Sequence, residues 1–486
     1  MIAKSVAFLA AAASAYGAYL PYKCVPNPPT PGYSFDHVVL ISVDGMHQLD
    51  LVNYVAAKPN SAFATLVNSG VQFTNAQTSF PSDSFPGLAA QLTGATVKTH
   101  GVWYDDSYDT SLYAPHSNCT GGAGTEVLLD ETVDYDLSLV SGGGINPANL
   151  PMRLDQYGQC VPVWPHEYFT ANNIFEIVKK YGKGTTAWTD KHPTYEWVNG
   201  PSGTGCDDTF FPDINSDPYG TDNVTLVGLY DELHMNAILN WIGGTKANSS
   251  GAFSVPAVFG GNLQSVSVGQ KLTAGGYLNA NGTFTAILQE GLDHADFVLG
   301  NIIQALKTAG IYERTVIIVS AKHGQSPIDP EAVIKLDPNA LQAGAGVEVA
   351  QLTSDDVALF WLKDPTQAAT AAANLQANGT FQINQIWYGD AAKALFGNNT
   401  RTPDVIIQPN HGVIYSLSGA KHAEHGGGSD DDRHVLLVLS NPTFTPRSDS
   451  TPVFTTQIAP TILNLLGLPY TDLDGVQKEG TTLLPL

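Results

Sequence analysis

Apolar residues follow two different periods along this chain. Residues 36–44 form a continuous apolar run, which predicts a strand buried on both faces. A second run at 314–320 (RTVIIVS) predicts another central strand, ending at Lys322-His323-Gly324. Shorter runs at 185–189, 255–259, 405–408 and 435–440 predict further strands. Between them, residues 172–182, 227–242 and 291–309 show helical spacing, and a last helix over 456–466 stops at Gly467-Leu468-Pro469. Strands alternating with helices predict an α/β three-layer sandwich with a mostly parallel central sheet. In such a sheet the reactive groups gather beyond the carboxyl ends of the strands. Asp44 and His323 both stand just past such ends. Polar, Gly-rich stretches near 140–148, 198–222 and 243–252 read as surface loops or insertions, so residues 30–486 are expected to form one domain with loop insertions.

Composition narrows the function. The net charge of −23 argues against a nucleic-acid scaffold and against anionic membranes. A small anionic substrate stays open, because a metal ion or a few lysines can reverse the local field. The first 18 residues or so carry one Lys, a short apolar run and Ala13-Ser14-Ala15, the marks of a secretory signal, and no later stretch is long enough to span a membrane. A secreted, extracellular protein is expected. Four cysteines (Cys24, Cys119, Cys160 and Cys206) predict two disulfides, with all three pairings open. Glycosylation acceptors stand at Asn118, Asn223, Asn248, Asn281, Asn378 and Asn398.

The chemistry concentrates in residues 78–101. Ser84 stands ten residues before Gly94 of a Thr93-Gly94 pair, and a His100-Gly101 pair follows. A strand that delivers Asp44, then a hydroxyl at the start of a helix, suits metal-assisted attack on phosphorus or sulfur. Ser79 and Ser82 are rival hydroxyls. Asp44 could cap the next helix instead, and Ser84 could be no more than an N-cap. Asp293, His294 and Asp296 are read as first-turn helix residues rather than as metal ligands.

At these motifs the chain resembles the alkaline phosphatase superfamily, and within it the branch of type I phosphodiesterases and nucleotide pyrophosphatases. Ser84-Phe85-Pro86, Thr93-Gly94 and His100-Gly101 carry the likeness, joined by Lys322-His323-Gly324, His425-Gly426 and the closing segment 457–467. The resemblance implies a serine nucleophile at Ser84 and a small phosphorylated substrate. It also implies a divalent metal, with zinc the expected ion in one or two copies, on Asp44, Ser84, His323 and His425. His100 is implied to be structural, and His422 and His434, which match nothing, are read as surface residues. Oligomeric state is not readable.

Two departures matter. Lys322 stands where two-zinc members carry Asp, and residues 261–271 supply neither acid nor His where two further ligands are expected. A lysine ammonium can hold a phosphoryl oxygen as a point charge. Lys322 is therefore expected to act in catalysis, and Lys271 with Asn262 in substrate binding. The resemblance favours phosphodiesters or pyrophosphates. A sulfatase is the first alternative, opposed by Leu88 in place of the Arg its modification signal needs. A non-catalytic binding protein, favoured by the missing ligands, is the second.

Overall fold

The computed structural model describes residues 34–419 and 421–486; the expected signal segment and Cys24 lie outside the described residues. The strands that matter are β1 (His37–Val43), β2 (Gly70–Phe73), β3 (Thr186–Thr189), β4 (Asp208–Phe210), β5 (Val258–Leu263), β6 (Thr315–Ser320), β7 (Val349–Ser354), β8 (Ala358–Leu362), β9 (Ile383–Tyr388), β10 (Val405–Pro409), β11 (Leu437–Ser440) and β12 (Arg447–Asp449). Eight of them form the central sheet in the order β12-β2-β11-β6-β1-β5-β3-β4. β1 pairs in parallel with both β5 and β6, and β3 continues the parallel run, while β11 runs antiparallel to both its neighbours.

Alternate residues of β1 feed two separate cores. Val38 and Leu40 pack with Phe85, Leu88 and Ile462 on one face, whereas Val39, Ile41 and Val43 pack with Val266, Leu292 and Ile302 on the other. Each such side chain, fully buried, contributes about 1.5–3 kcal/mol, so the run that reads as continuously apolar is held from both sides. The predicted three-layer sandwich is the observed architecture. The helices α1 (Gln48–Ala57), α2 (Ser84–Thr93), α3 (Ile174–Lys180), α4 (Val224–Ile242), α5 (Ser265–Lys271), α6 (Ala286–Thr308) and α7 (Ile458–Leu465) supply its outer layers. α6 begins five residues before its predicted start, at Ala286, because the Thr285 hydroxyl caps it by accepting from the Leu288 amide.

One predicted strand belongs elsewhere. β10 is a strand, but it lies in a second, four-stranded antiparallel sheet ordered β7-β8-β10-β9. This sheet has its own core around Leu341, Phe360, Leu375, Phe381 and Ile407.

Cys119 and Cys160 form a disulfide, and Cys206 is half-buried without one among the described residues. The six acceptor asparagines are all exposed. Among the described residues no helix is long and apolar enough to cross a membrane.

Candidate active site

The carboxyl ends of β1, β3, β5 and β6 converge, as the sheet order dictates. The chain turns sharply after β1 through Gly45, whose φ of +79° suits glycine; a Cβ there would also sit 2.2 Å from the Gln270 amide oxygen. This turn aims Asp44 across the strand ends. Its Oδ2 accepts from Asn262 Nδ2 at 3.1 Å and from Gln264 Nε2 at 2.6 Å, both just at the end of β5. Lys322 Nζ lies 3.9 Å from the same oxygen and His323 Nε2 4.0 Å from it. Burial pushes the Asp44 carboxyl up, but Lys322, His323, Lys191 and the Gln264 bond together outweigh it and hold the group at about 2.

Ser84 opens α2. The N-cap is Asp83, whose Oδ2 accepts from the Phe85 amide at 3.0 Å, so capping is not what the Ser84 hydroxyl does. The first turn of α2 rests directly on the segment after β6. A Cβ on Gly87 would sit 2.2 Å from the Lys322 carbonyl oxygen, so only glycine allows that approach. It brings Ser84 Oγ to 3.2 Å from His323 Nε2 and 3.2 Å from Lys191 Nζ. The rival hydroxyls are engaged elsewhere: Ser79 donates to the Pro86 carbonyl at 3.2 Å and Ser82 to the Gly427 carbonyl at 2.7 Å.

His323 Nδ1 lies 2.8 Å from the Gly324 carbonyl oxygen. A carbonyl only accepts, so Nδ1 carries the proton and Nε2 offers its lone pair to Ser84. Burial, with smaller contributions from Lys271 and Lys191, lowers this ring to about 3 against the opposing pull of Asp44. The His425 ring packs on it at 4.0 Å, and its Nδ1 stands 3.7 Å from Asp83 Oδ1. Burial, then His323 and the neighbouring lysines, hold His425 well below the usual imidazole range. Both rings are neutral at pH 7.

The group that the sequence reading missed is the pair following β3. Asp190, fully buried, accepts from Lys322 Nζ at 2.9 Å and from the Lys191 amide at 3.0 Å. Lys322 is also fully buried; its ammonium donates to the Tyr195 hydroxyl at 3.1 Å and lies 4.4 Å from the centre of that ring. Burial pulls the Lys191 ammonium down, yet Asp44, Asp105, Asp83 and Asp190 together hold it above the ordinary lysine value. The signal for these residues was present: Asp190 and Lys191 directly follow a strand the sequence predicts, at the end where chemistry collects.

Other expectations need correction. Lys271, expected in substrate binding, pairs with Glu424 at 3.1 Å. Asp293, His294 and Asp296 lie well inside α6, not in its first turn. Asp296 accepts from the Phe63 amide at 2.9 Å, Asp293 binds the Tyr54 hydroxyl at 2.9 Å, and His294 faces Glu232 at 3.3 Å. His434 is half-buried with Nε2 2.8 Å from the Thr74 carbonyl oxygen, while His422 is exposed. His100 is fully buried and its Nδ1 accepts from the Val102 amide at 3.2 Å, a structural role.

The donor set does not fit a two-metal centre. Of the four expected ligands, Asp44, Ser84 and His323 converge, and the His425 ring, packed on His323 at 4.0 Å, turns its Nδ1 toward Asp83. Asp44 Oδ2 already holds two amide donors, leaving Oδ1, buried and without a hydrogen bond, as the carboxylate's open oxygen. One carboxylate oxygen, one imidazole and a neutral hydroxyl, flanked by two ammonium groups, fall short of the three or four strong ligands that hold zinc. Among the described residues no group of three or more His, Cys, Asp or Glu side chains is arranged to hold a metal ion.

A mostly parallel sheet between helical layers, with a serine at a helix start and Asp and His at neighbouring strand ends, defines an alkaline phosphatase-like fold. The chain belongs to the type I phosphodiesterase/nucleotide pyrophosphatase family, whose sequence model matches residues 38–429. Its structure is similar to that of murine ectonucleotide pyrophosphatase/phosphodiesterase 5, with a TM-score of 0.57 at 14% identity, over 92% of this chain and 99% of that one. An inactive variant of the murine protein in complex with AMP is similar to the same degree, with a TM-score of 0.57 at 14% identity, over 92% of this chain and 100% of that one. No curated protein matches the chain in sequence.

Proposed function

We propose that this protein hydrolyses phosphate esters of the phosphodiester or nucleotide pyrophosphate type, with Ser84 as nucleophile. The observation that carries the reading is the Ser84 Oγ to His323 Nε2 contact of 3.2 Å at the start of α2. The His323 Nε2 lone pair orients the hydroxyl and takes its proton only as the Ser84 Oγ–P bond forms and the bond from phosphorus to the leaving oxygen breaks, the Asp44 carboxylate 4.0 Å away stabilising the imidazolium that develops. His323 then returns that proton to the leaving oxygen; in the second half water forms a bond to phosphorus as the Ser84 Oγ–P bond breaks, and its proton passes through His323 back to Ser84 Oγ. The amides of the first turn of α2 and its dipole favour the charge on the transferring oxygens. The family and the AMP bound to the murine relative support a small nucleotide-like substrate. The proposed catalytic unit spans residues 30–486, with the antiparallel sheet as an insertion. Secretion is supported by the Cys119–Cys160 disulfide and by six exposed acceptor asparagines.

The test is a pair of variants assayed on bis-p-nitrophenyl phosphate. Ser84→Ala is expected to lose on the order of 10³-fold or more in kcat/KM, and Ser79→Ala to keep most of it. The reverse result rejects the nucleophile. Absence of turnover in the wild-type protein supports the binding-protein alternative instead.

A further inference from the structure

The serine-nucleophile reading leaves open what supplies positive charge at a site whose ligands do not fit two metal ions. We propose that two ammonium groups do so: Lys322 stands between Asp190 and Asp44 and offsets their charge from within, and Lys191 meets the phosphoryl oxygen beside Ser84. This inference rests on the proposed phosphoryl chemistry of that site.

The two lysines are placed differently. Lys322 is immobilised; Asp190 at 2.9 Å, the Tyr195 hydroxyl at 3.1 Å and the Tyr195 ring leave its ammonium no route to solvent. From there it stands 3.9 Å from Asp44 Oδ2. That is ion-pair range, and Lys322 directly precedes His323, the position at which the resemblance expects an acid. Lys191 is different. It is half-buried, its ammonium lies 3.2 Å from Ser84 Oγ, and among the described residues no carboxylate comes within ion-pair distance of it. It is thus the cation with donors to spare next to the proposed nucleophile. One ammonium carries three donors, enough for the Ser84 oxygen and two phosphoryl oxygens. Asp190 couples the two roles: the same Oδ1 that holds the Lys322 ammonium also accepts from the Lys191 backbone amide at 3.0 Å. Fixed charges of this kind need no reorganisation when charge develops on the transferring group.

The experiment uses the full-length protein after exhaustive chelation, with metal content read by elemental analysis. Binding of inorganic phosphate is followed by titration calorimetry, and turnover by release of p-nitrophenolate from bis-p-nitrophenyl phosphate. Phosphate is expected to bind the metal-free protein. Lys191→Met should weaken that binding roughly 10-fold or more, and Lys191→Arg should retain most of it, because a charged hydrogen bond is lost in the first and kept in the second. Lys322→Asp removes the internal cation and adds an acceptor beside Asp44, so zinc should raise its melting temperature while leaving that of the wild type unchanged. The inference is overturned if phosphate binds only after zinc is restored, or if Lys191→Met binds phosphate as tightly as the wild type. Turnover that requires restored zinc also overturns it while leaving Ser84 as nucleophile intact. Phosphate binding without metal and without turnover supports the fixed cations and rejects the hydrolytic reading.

Discussion

At the scale of single residues, the balance at Lys322 decides how the site is held. Its ammonium and the Asp190 carboxylate are both fully buried. Removing one partner strands the other charge away from water, which costs about 3–5 kcal/mol. Lys322→Ala is therefore expected to lower stability by about that amount in urea denaturation. A loss under about 1 kcal/mol would show that water reaches Asp190 and that the pair is not a closed ionic lock. Asp44, Ser84 and His323 were legible in the sequence because each follows or precedes a strong local signal: an apolar strand end or a spaced hydroxyl motif. Lys322 was legible only as a departure. Its partner Asp190 is 132 residues away, and nothing local links the two. Only the order β6-β1-β5-β3 brings those strand ends together.

At the scale of elements, the approach of α2 to the loop after β6 sets the geometry of the nucleophile. Gly87 is the contact point. A methyl group there would overlap the Lys322 carbonyl oxygen, with 2.2 Å between Cβ and O. Since neither backbone gives easily, Gly87→Ala should push the start of α2 outward and draw Ser84 from His323. A shift of about 1 Å costs on the order of 10²-fold in rate. The expected outcome is a drop of that order in kcat, accompanied by a lower melting temperature. Full activity in the Gly87→Ala protein would mean that the Ser84–His323 contact does not govern the reaction. Among the elements, β1 and β6 were readable because burial on both faces makes an uninterrupted apolar run. Of the sheet built from β7 to β10, only β10 was readable as a strand. β7 and β9 are largely half-exposed, and their polar residues obscure the alternation that would mark them.

At the scale of the whole molecule, buried titratable groups set the dependence of stability on pH. Burial raises Asp83, Asp106 and Asp134 to about 8 and Asp231 to about 7, against an ordinary value of 3.8. Between the ordinary and raised values the folded chain binds more protons than the unfolded one, so this stability is lost as pH rises toward 8. Burial lowers His100, His234 and His323 to about 3 from 6.5, and their contribution is lost as pH falls below 6.5. Above pH 6.5 the acids still change, and His47, His166 and His411, raised above 6.5 because neighbouring carboxylates outweigh burial, change in the same sense. The melting temperature should therefore fall from pH 6.5 to pH 8 at constant ionic strength. A rise over that interval would contradict the protonated state of these buried carboxyls.

The central claim is that Ser84 makes a covalent bond to phosphorus. The measurement that tests it most directly is peptide mass spectrometry after acid quench of the protein turning over bis-p-nitrophenyl phosphate. The account predicts a p-nitrophenyl phosphoryl adduct on the peptide containing Ser84, absent from the Ser84→Ala protein. Turnover with no adduct, or with the adduct on Ser79, Ser82 or another residue, would contradict it.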